Sequence, residues 1–213
     1  MSQIAFYILS DVHGFIFPTD FSSREKDLPM GLLKANHLIE QDCVHYDGSV
    51  KIDNGDFLQG SPLCNYLVSK LKSSLPLTSI YNRLGFDFGI VGNHEFNYDL
   101  PYLKQAINQL HYPVLCANII ENTQPFTGQG IHYFKVNDLT IGTIGLTTQY
   151  IPHWEQPDYI KTLTFNSAVH ILKSELPTLR EKSDIVVVSY HGGFERDLDS
   201  GLPLSLIHIS ERA

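Results

Sequence analysis

An α/β fold is predicted from two observations. Short apolar runs of β-strand character alternate with segments of helical periodicity, and four polar motifs each sit directly behind one of those runs. Residues 4–9 read as a fully buried first strand, followed by a long polar loop over 15–29. A helix over 31–41 follows from the spacing of Leu32, Ala35, Leu38 and Ile39, and the next strand covers 50–53. Residues 63–71 and 76–84 read as helices, the second with Pro76 in its first turn, where a missing N–H costs nothing. A strand over 86–91, an amphipathic helix over 100–110 and a strand over 113–117 come next. A hairpin pairs 132–136 with 140–146 around Asn137-Asp138. A helix over 166–179 is expected to be interrupted or to end near Pro177, and 185–190 is a buried strand. There is no internal repeat, low-complexity tract or clear linker.

The four motifs are Asp11-Val12-His13-Gly14, Gly55-Asp56, Gly92-Asn93-His94-Glu95 and His191-Gly192-Gly193. In an open α/β sheet, groups behind the strand carboxyl ends converge on one rim. Asp and His two residues apart in an extended segment point to the same side, so Asp11 and His13 can grip one ion. Asp56 adds a carboxylate, Asn93 a neutral carbonyl oxygen and His191 another imidazole. This oxygen and nitrogen donor set suits Mn, Fe, Zn, Co or Ni, and the layout is that of a two-metal hydrolase. Each motif alone has an ordinary explanation, as turn, cap or strand exit; their joint occurrence behind strands carries the site. His37, His45, His111, His132, His153 and His170 lack companions at ligand spacing and read as surface or packing residues. Glu95 is read as a carboxylate at a helix N-terminus. The segment Gln59-Gly60-Ser61-Pro62 either lies near the substrate or only turns the chain.

These blocks, in this order, resemble the calcineurin-like metallophosphoesterases. The stretches 53–62 and 92–98 are similar to the branch of bacterial 5'-nucleotidases and 2',3'-cyclic-nucleotide 2'-phosphodiesterase/3'-nucleotidases. The resemblance sharpens the fold to a four-layer sandwich of two mixed β-sheets flanked by helices, incomplete at the C-terminus. It implies that Asp11, His13 and Asp56 hold one divalent ion and that Asp56, Asn93 and His191 hold a second, with Asp56 as the bridge. It makes His94 a group facing the substrate phosphate, with Asn97 orienting it where many relatives carry Asp. The implied reaction is hydrolysis of a small nucleotide phosphate ester by a metal-bound hydroxide. The rivals are a phosphatase of other specificity and a metal-binding but inactive fragment. The family's further Gly-His-x-His or Gly-His-x-Gln block has no match before Ala213, and His208 is not its replacement. Residues 1–203 are therefore expected to be a truncated catalytic domain, 204–213 a non-native tail, and a C-terminal substrate-binding domain is expected in the full-length protein.

Composition bounds the remainder. A length of 213 residues allows one substantial domain, and 43% hydrophobic with 18% charged residues fits a folded core. A net charge of −8 argues against a nucleic-acid polymer as partner, while bound cations would reverse the local field for a small phosphate ester. Cys43, Cys64 and Cys116 form no Cys-x-x-Cys pair and read as buried thiols. No membrane-spanning run and no exporting segment is read at the N-terminus, so the cytoplasm is the expected compartment.

Overall fold

The computed structural model describes residues 3–20, 22 and 27–193. Four strands build the first sheet: β1 (Ile4–Leu9), β2 (Gly48–Asp53), β3 (Phe88–Ile90) and β4 (Val114–Leu115), in that spatial order and parallel throughout. The connections carry α1 (Leu32–Asp42), α2 (Pro62–Tyr66), α3 (Leu75–Tyr81) and α4 (Leu100–Gln109). α2 opens on Ser61, whose side chain accepts from Cys64 N, with Pro62 in its first turn; α4 opens on Asp99, which accepts from Tyr102 N. The helix expected over 63–71 is thus a short α-helix that passes into a wider turn over Leu67–Leu71.

A small antiparallel sheet, which periodicity did not reveal, joins β5 (Ile119–Glu121), β6 (Gln124–Pro125) and a later strand, β9 (Thr164–Phe165). Strands of two or three residues are too short to show alternation. The hairpin forms as expected, from β7 (Ile131–Val136) to β8 (Leu139–Thr147) around Asn137, whose φ of 54° suits an asparagine. A one-turn helix, α5 (Pro157–Ile160), precedes β9. The chain then enters α6 (Ala168–Lys182) and β10 (Ile185–His191), which runs parallel to β8. The second sheet, β10-β8-β7, is therefore mixed. α6 does not stop at Pro177 but continues to Lys182. Burial of Leu179 against Ile144 and Leu146 offsets the hydrogen bond lost at the proline.

The layers follow from three apolar clusters. Tyr81, Phe57, Leu77, Leu103 and their neighbours fill the space between the first sheet and α2–α4. Val50, Ile52, Phe88, Ile90 and Leu115 pack against Phe134, Val136 and Val187 between the two sheets. Ile144 and Leu146 pack against α6 on the far side. Helices, sheet, sheet and helix make the expected four layers. At the sheet-to-sheet contact, a Cβ on Gly145 would lie 2.5 Å from Leu115 O, so only glycine admits this approach. Burial differs from expectation at two strands: among the described residues β1 and β10 are edges of their sheets, and Ile8, Val188 and Tyr190 are exposed. Of the cysteines, Cys64 and Cys116 are buried, whereas Cys43 is half-buried.

Candidate metal centre

The site begins with its backbone. Asp11, His13 and Asp56 adopt φ of 55°, 50° and 60°, a left-handed region that non-glycine residues seldom enter. Such conformations cost about 1–3 kcal/mol each and persist only where surrounding bonds impose them. Asp11 N donates to Gly55 O at 3.1 Å, His13 N to Asp56 O at 2.8 Å, and Ser61 N to His13 O at 2.8 Å. The loops behind β1 and β2 are thereby zipped together.

Glu95 holds the loops behind β2 and β3. It is fully buried; Asp56 N and Gly92 N donate to its Oε2 at 2.7 and 2.6 Å, and Phe57 N and Leu58 N to its Oε1 at 2.8 and 3.1 Å. Burial and the charge of Asp56 push its carboxyl above the ordinary range, while the backbone donors oppose the rise. The helix-terminus role expected for Glu95 is therefore too small: it is the clamp that sets Asp56. His94 N completes the junction by donating to Asp56 Oδ1 at 2.8 Å.

Three histidines present the same nitrogen inward. Nδ1 of His13 lies 2.7 Å from Gln59 O, Nδ1 of His191 2.6 Å from Asn54 O, and Nδ1 of His94 2.6 Å from Asn97 Oδ1. Carbonyl oxygens accept only, so each Nδ1 is the donor and each Nε2 is left for the site. The Gln59-Gly60-Ser61-Pro62 segment thus acts behind His13. A Cβ on Gly60, at φ 132°, would lie 2.6 Å from the Cβ of His13. His191 reaches the rim because Ser189 Oγ donates to Asn54 Oδ1 at 2.7 Å and Thr147 Oγ1 to Val91 O at 2.6 Å, docking the second sheet on the first.

His191 Nε2 lies 3.0 Å from Asp56 Oδ2 and 4.0 Å from Asp11 Oδ1, and His13 Nε2 lies 3.9 Å from Asp11 Oδ1. Burial pulls the His191 imidazole down, but its bond to Asp56 and the Asp56 and Asp11 charges outweigh that and hold it at about 9. Asp56 is pushed up by burial and brought below its ordinary value by His191 and His94. The donor atoms fall into two groups, His13 with Asp56 and His94, and Asp11 with Asp56 and His191, each within 4.8 Å of one another. His94 stands in one of these groups, and Asp11 Oδ1 lies about equally far from His13 and His191. Asn93 opens the turn over His94–Asn97, half-buried, and its side chain makes no capping bond. The donor chemistry fits a hard or borderline divalent cation, with carboxylates and imidazoles converging and no thiolate among them. A Cβ on Gly92 would lie 2.1 Å from Asp56 Oδ1, so the shared carboxylate occupies space that only glycine leaves open.

The remaining histidines stay apart from the site. His37, His45, His111, His153 and His170 are exposed, and His132 stacks on Phe134 at 5.7 Å. Sequence reasoning missed Glu155, whose Oε1 accepts from Asn97 Nδ2; no local pattern marks a residue 58 positions away. His208, read as no replacement for the missing block, and the expected tail 204–213 lie outside the described residues. Among the described residues, no helix is long and apolar enough to cross a membrane.

A family model described as calcineurin-like phosphoesterase matches residues 4–205. The chain belongs to that family. A 2',3'-cyclic-nucleotide 2'-phosphodiesterase/3'-nucleotidase of Salmonella typhimurium is 35% identical over 202 residues, covering 88% of this chain and 31% of the relative. Protein UshA of Escherichia coli is 31% identical over 195 residues, with 86% and 33% covered. Among solved structures, a candidate 5'-nucleotidase of Staphylococcus aureus, in complex with alpha-ketoglutarate, is 64% identical with a TM-score of 0.89, over 94% of this chain and 39% of that one. The Bacillus subtilis phosphoesterase YfkN shares the fold, with 24% identity, a TM-score of 0.81, and 93% and 65% covered. The chain spans about a third of the length of the curated relatives it matches. Several sheets flanked by helices, and an acid and imidazole cluster suited to divalent ions, are what such a phosphoesterase requires.

Proposed function

We propose that this chain is the metal-binding catalytic part, over residues 1–203, of a phosphoesterase that hydrolyses small nucleotide phosphate esters. The class is the 5'-nucleotidase or 2',3'-cyclic-nucleotide phosphodiesterase/3'-nucleotidase type. The observation that carries the reading is that Asp56 belongs to both donor groups, with His13 and His94 on one side and Asp11 and His191 on the other. Two divalent ions of the Mn, Fe, Zn, Co or Ni kind, when bound, activate a water and neutralise charge developing on the phosphoryl oxygens. By resemblance to the family, Asp11, His13 and Asp56 would hold one, and Asp56, Asn93 and His191 the other; Asp11 Oδ1, 3.9 Å from His13 Nε2 and 4.0 Å from His191 Nε2, is within reach of either group.

The chain's own residues do the rest. Gln59 O and Asn54 O lock the rings of His13 and His191, so no reorganisation is needed when ligands form. His94, with Nδ1–H held by Asn97, takes up a second proton at Nε2 from solvent and donates it to a phosphoryl oxygen or to the leaving ribose oxygen. Recognition of the nucleoside belongs to the further, C-terminal domain for which the relatives' greater length leaves room. The test combines metal analysis with hydrolysis of 5'-nucleotides, 2',3'-cyclic nucleotides and a generic phosphodiester by the full-length Mn-loaded protein. Two bound ions per chain and a preference for the nucleotides are expected. His94→Ala should keep both ions and lower turnover by about 10²–10⁴-fold. A protein that binds no transition ion, or hydrolyses only the generic ester, would overturn the reading.

A further inference from the structure

Glu155 stands on a fixed arm. The turn over Ile151–His153 buries Ile151 completely, Trp154 packs against the main core, and Glu155 N donates to Ile151 O at 3.1 Å. Its half-buried carboxylate meets the amide of Asn97, whose Nδ2 donates to Glu155 Oε1 while its Oδ1 lies 2.6 Å from His94 Nδ1. A carboxylate can only accept, whereas an amide can face a neighbour with either end. Beside Glu155, Asn97 must turn its NH2 outward, and its oxygen is then committed to the ring. An oxygen facing Nδ1 demands a proton there, which leaves Nε2 as the free nitrogen of His94. Without Glu155, rotation of the Asn97 amide by half a turn would present NH2 to the ring and favour the opposite tautomer.

We propose that Glu155 is a positioning residue for the phosphoester reaction: it selects the orientation of the Asn97 amide and thereby the tautomer of His94. The inference rests on the assignment of His94 to the phosphoryl group made above. It predicts that an acceptor-only side chain at position 97 makes Glu155 dispensable, because aspartate has no donor end to turn.

The test uses the full-length Mn-loaded protein and three variants: Glu155→Ala, Glu155→Gln, and Glu155→Ala combined with Asn97→Asp. Glu155→Ala should lower kcat by about tenfold, the scale of one oriented hydrogen bond, with KM and bound metal unchanged. Glu155→Gln keeps the volume but can face Asn97 with either end of its amide, and should lose less. Asn97→Asp in the Glu155→Ala background should restore most of the turnover. Nitrogen-15 spectra of the His94 ring, assigned by loss of the signal in His94→Ala, give a readout independent of activity. The ring should carry its proton on Nδ1 in the parent, populate both tautomers in Glu155→Ala, and return to Nδ1 in the double variant. A Glu155→Ala protein with unchanged turnover and an unchanged ring tautomer overturns the proposal, as does a double variant no better than the single one. If the ring responds to Glu155 as expected but His94→Ala leaves turnover intact, the positioning device stands and the assignment of His94 to the phosphoryl group falls.

Discussion

The loop that carries Asp56 and the loop that carries Asp11 supply carboxylates to the same centre, yet they are built differently. The Asp56 side chain is 2% exposed, and the peptides around it donate to the buried Glu95. The Asp11 side chain is 38% exposed, and its carboxylate accepts from the Ser10 hydroxyl at the surface. Both residues adopt left-handed backbone. Only at Asp56 is that strain balanced by charge-assisted hydrogen bonds in a site closed to water. The carboxylate common to both donor groups is fixed by buried bonds of the fold, whereas the outer one is held by its backbone and a bond from Ser10 at the surface.

Four perturbations break or sharpen this contrast. The largest effect is expected from Glu95→Gln, which replaces one acceptor oxygen by an NH2 facing backbone donors. Equilibrium urea unfolding should show a loss of about 3 kcal/mol or more, the cost of stranding buried donors and a buried network. A loss no larger than that of a surface substitution would remove Glu95 as the clamp.

Gly92→Ala should come next. Its Cβ, 2.1 Å from Asp56 Oδ1, must displace the shared carboxylate. Calorimetric titration with Mn should show affinity reduced by roughly 10–100-fold, the usual scale for disturbing the support of a metal ligand. Unchanged affinity would mean that the position of Asp56 is not set by this contact.

Asp53 tests the buried side of the β2 loop through pH. Burial pushes its carboxyl from 3.8 to about 7, against the opposing hydrogen bond from Tyr112 at 2.8 Å. Between those values the folded state holds a proton that the unfolded chain has released, so this group's contribution to stability falls as pH rises through the window. Asp53→Asn removes the titration and keeps an acceptor for Tyr112. The stability difference, variant minus parent, should therefore grow from pH 4 to pH 8, by an amount on the order of a few kcal/mol. Parallel curves for the two proteins would show that Asp53 is not held protonated.

The smallest effect is expected for Asp11→Asn. Being partly exposed and tied mainly through its backbone, it should change the free energy of urea unfolding by about 0.5 kcal/mol or less while still weakening metal binding. A large loss of stability at Asp11 would erase the contrast with Asp56.

Much of this architecture was legible along the chain. The strands ending at Leu9, Asp53, Ile90 and His191 and the hairpin at Asn137 follow from local apolar patterning and turn chemistry, which need no knowledge of distant contacts. Because parallel strands send their carboxyl ends to one rim, Asp11, His13, Asp56, His94 and His191 could be expected near one another before any packing was known. The resemblance to a family supplied what patterning could not: a role for each of those residues and the four-layer order. Two strands misled, since an apolar run looks the same at a sheet edge as in its centre, and Ile8 and Val188 proved exposed.

The sequence by itself determined the order of the elements and the chemistry delivered to the rim, because both depend on neighbours a few residues apart. Tertiary structure alone decided how that chemistry is held. Glu95 meets Asp56 across 39 positions, Glu155 meets Asn97 across 58, and Asn54 meets His191 across 137. Such bonds have no periodicity and no fixed spacing. They exist only because two sheets, packed through the gap at Gly145, bring loops from distant parts of the chain within hydrogen-bond reach.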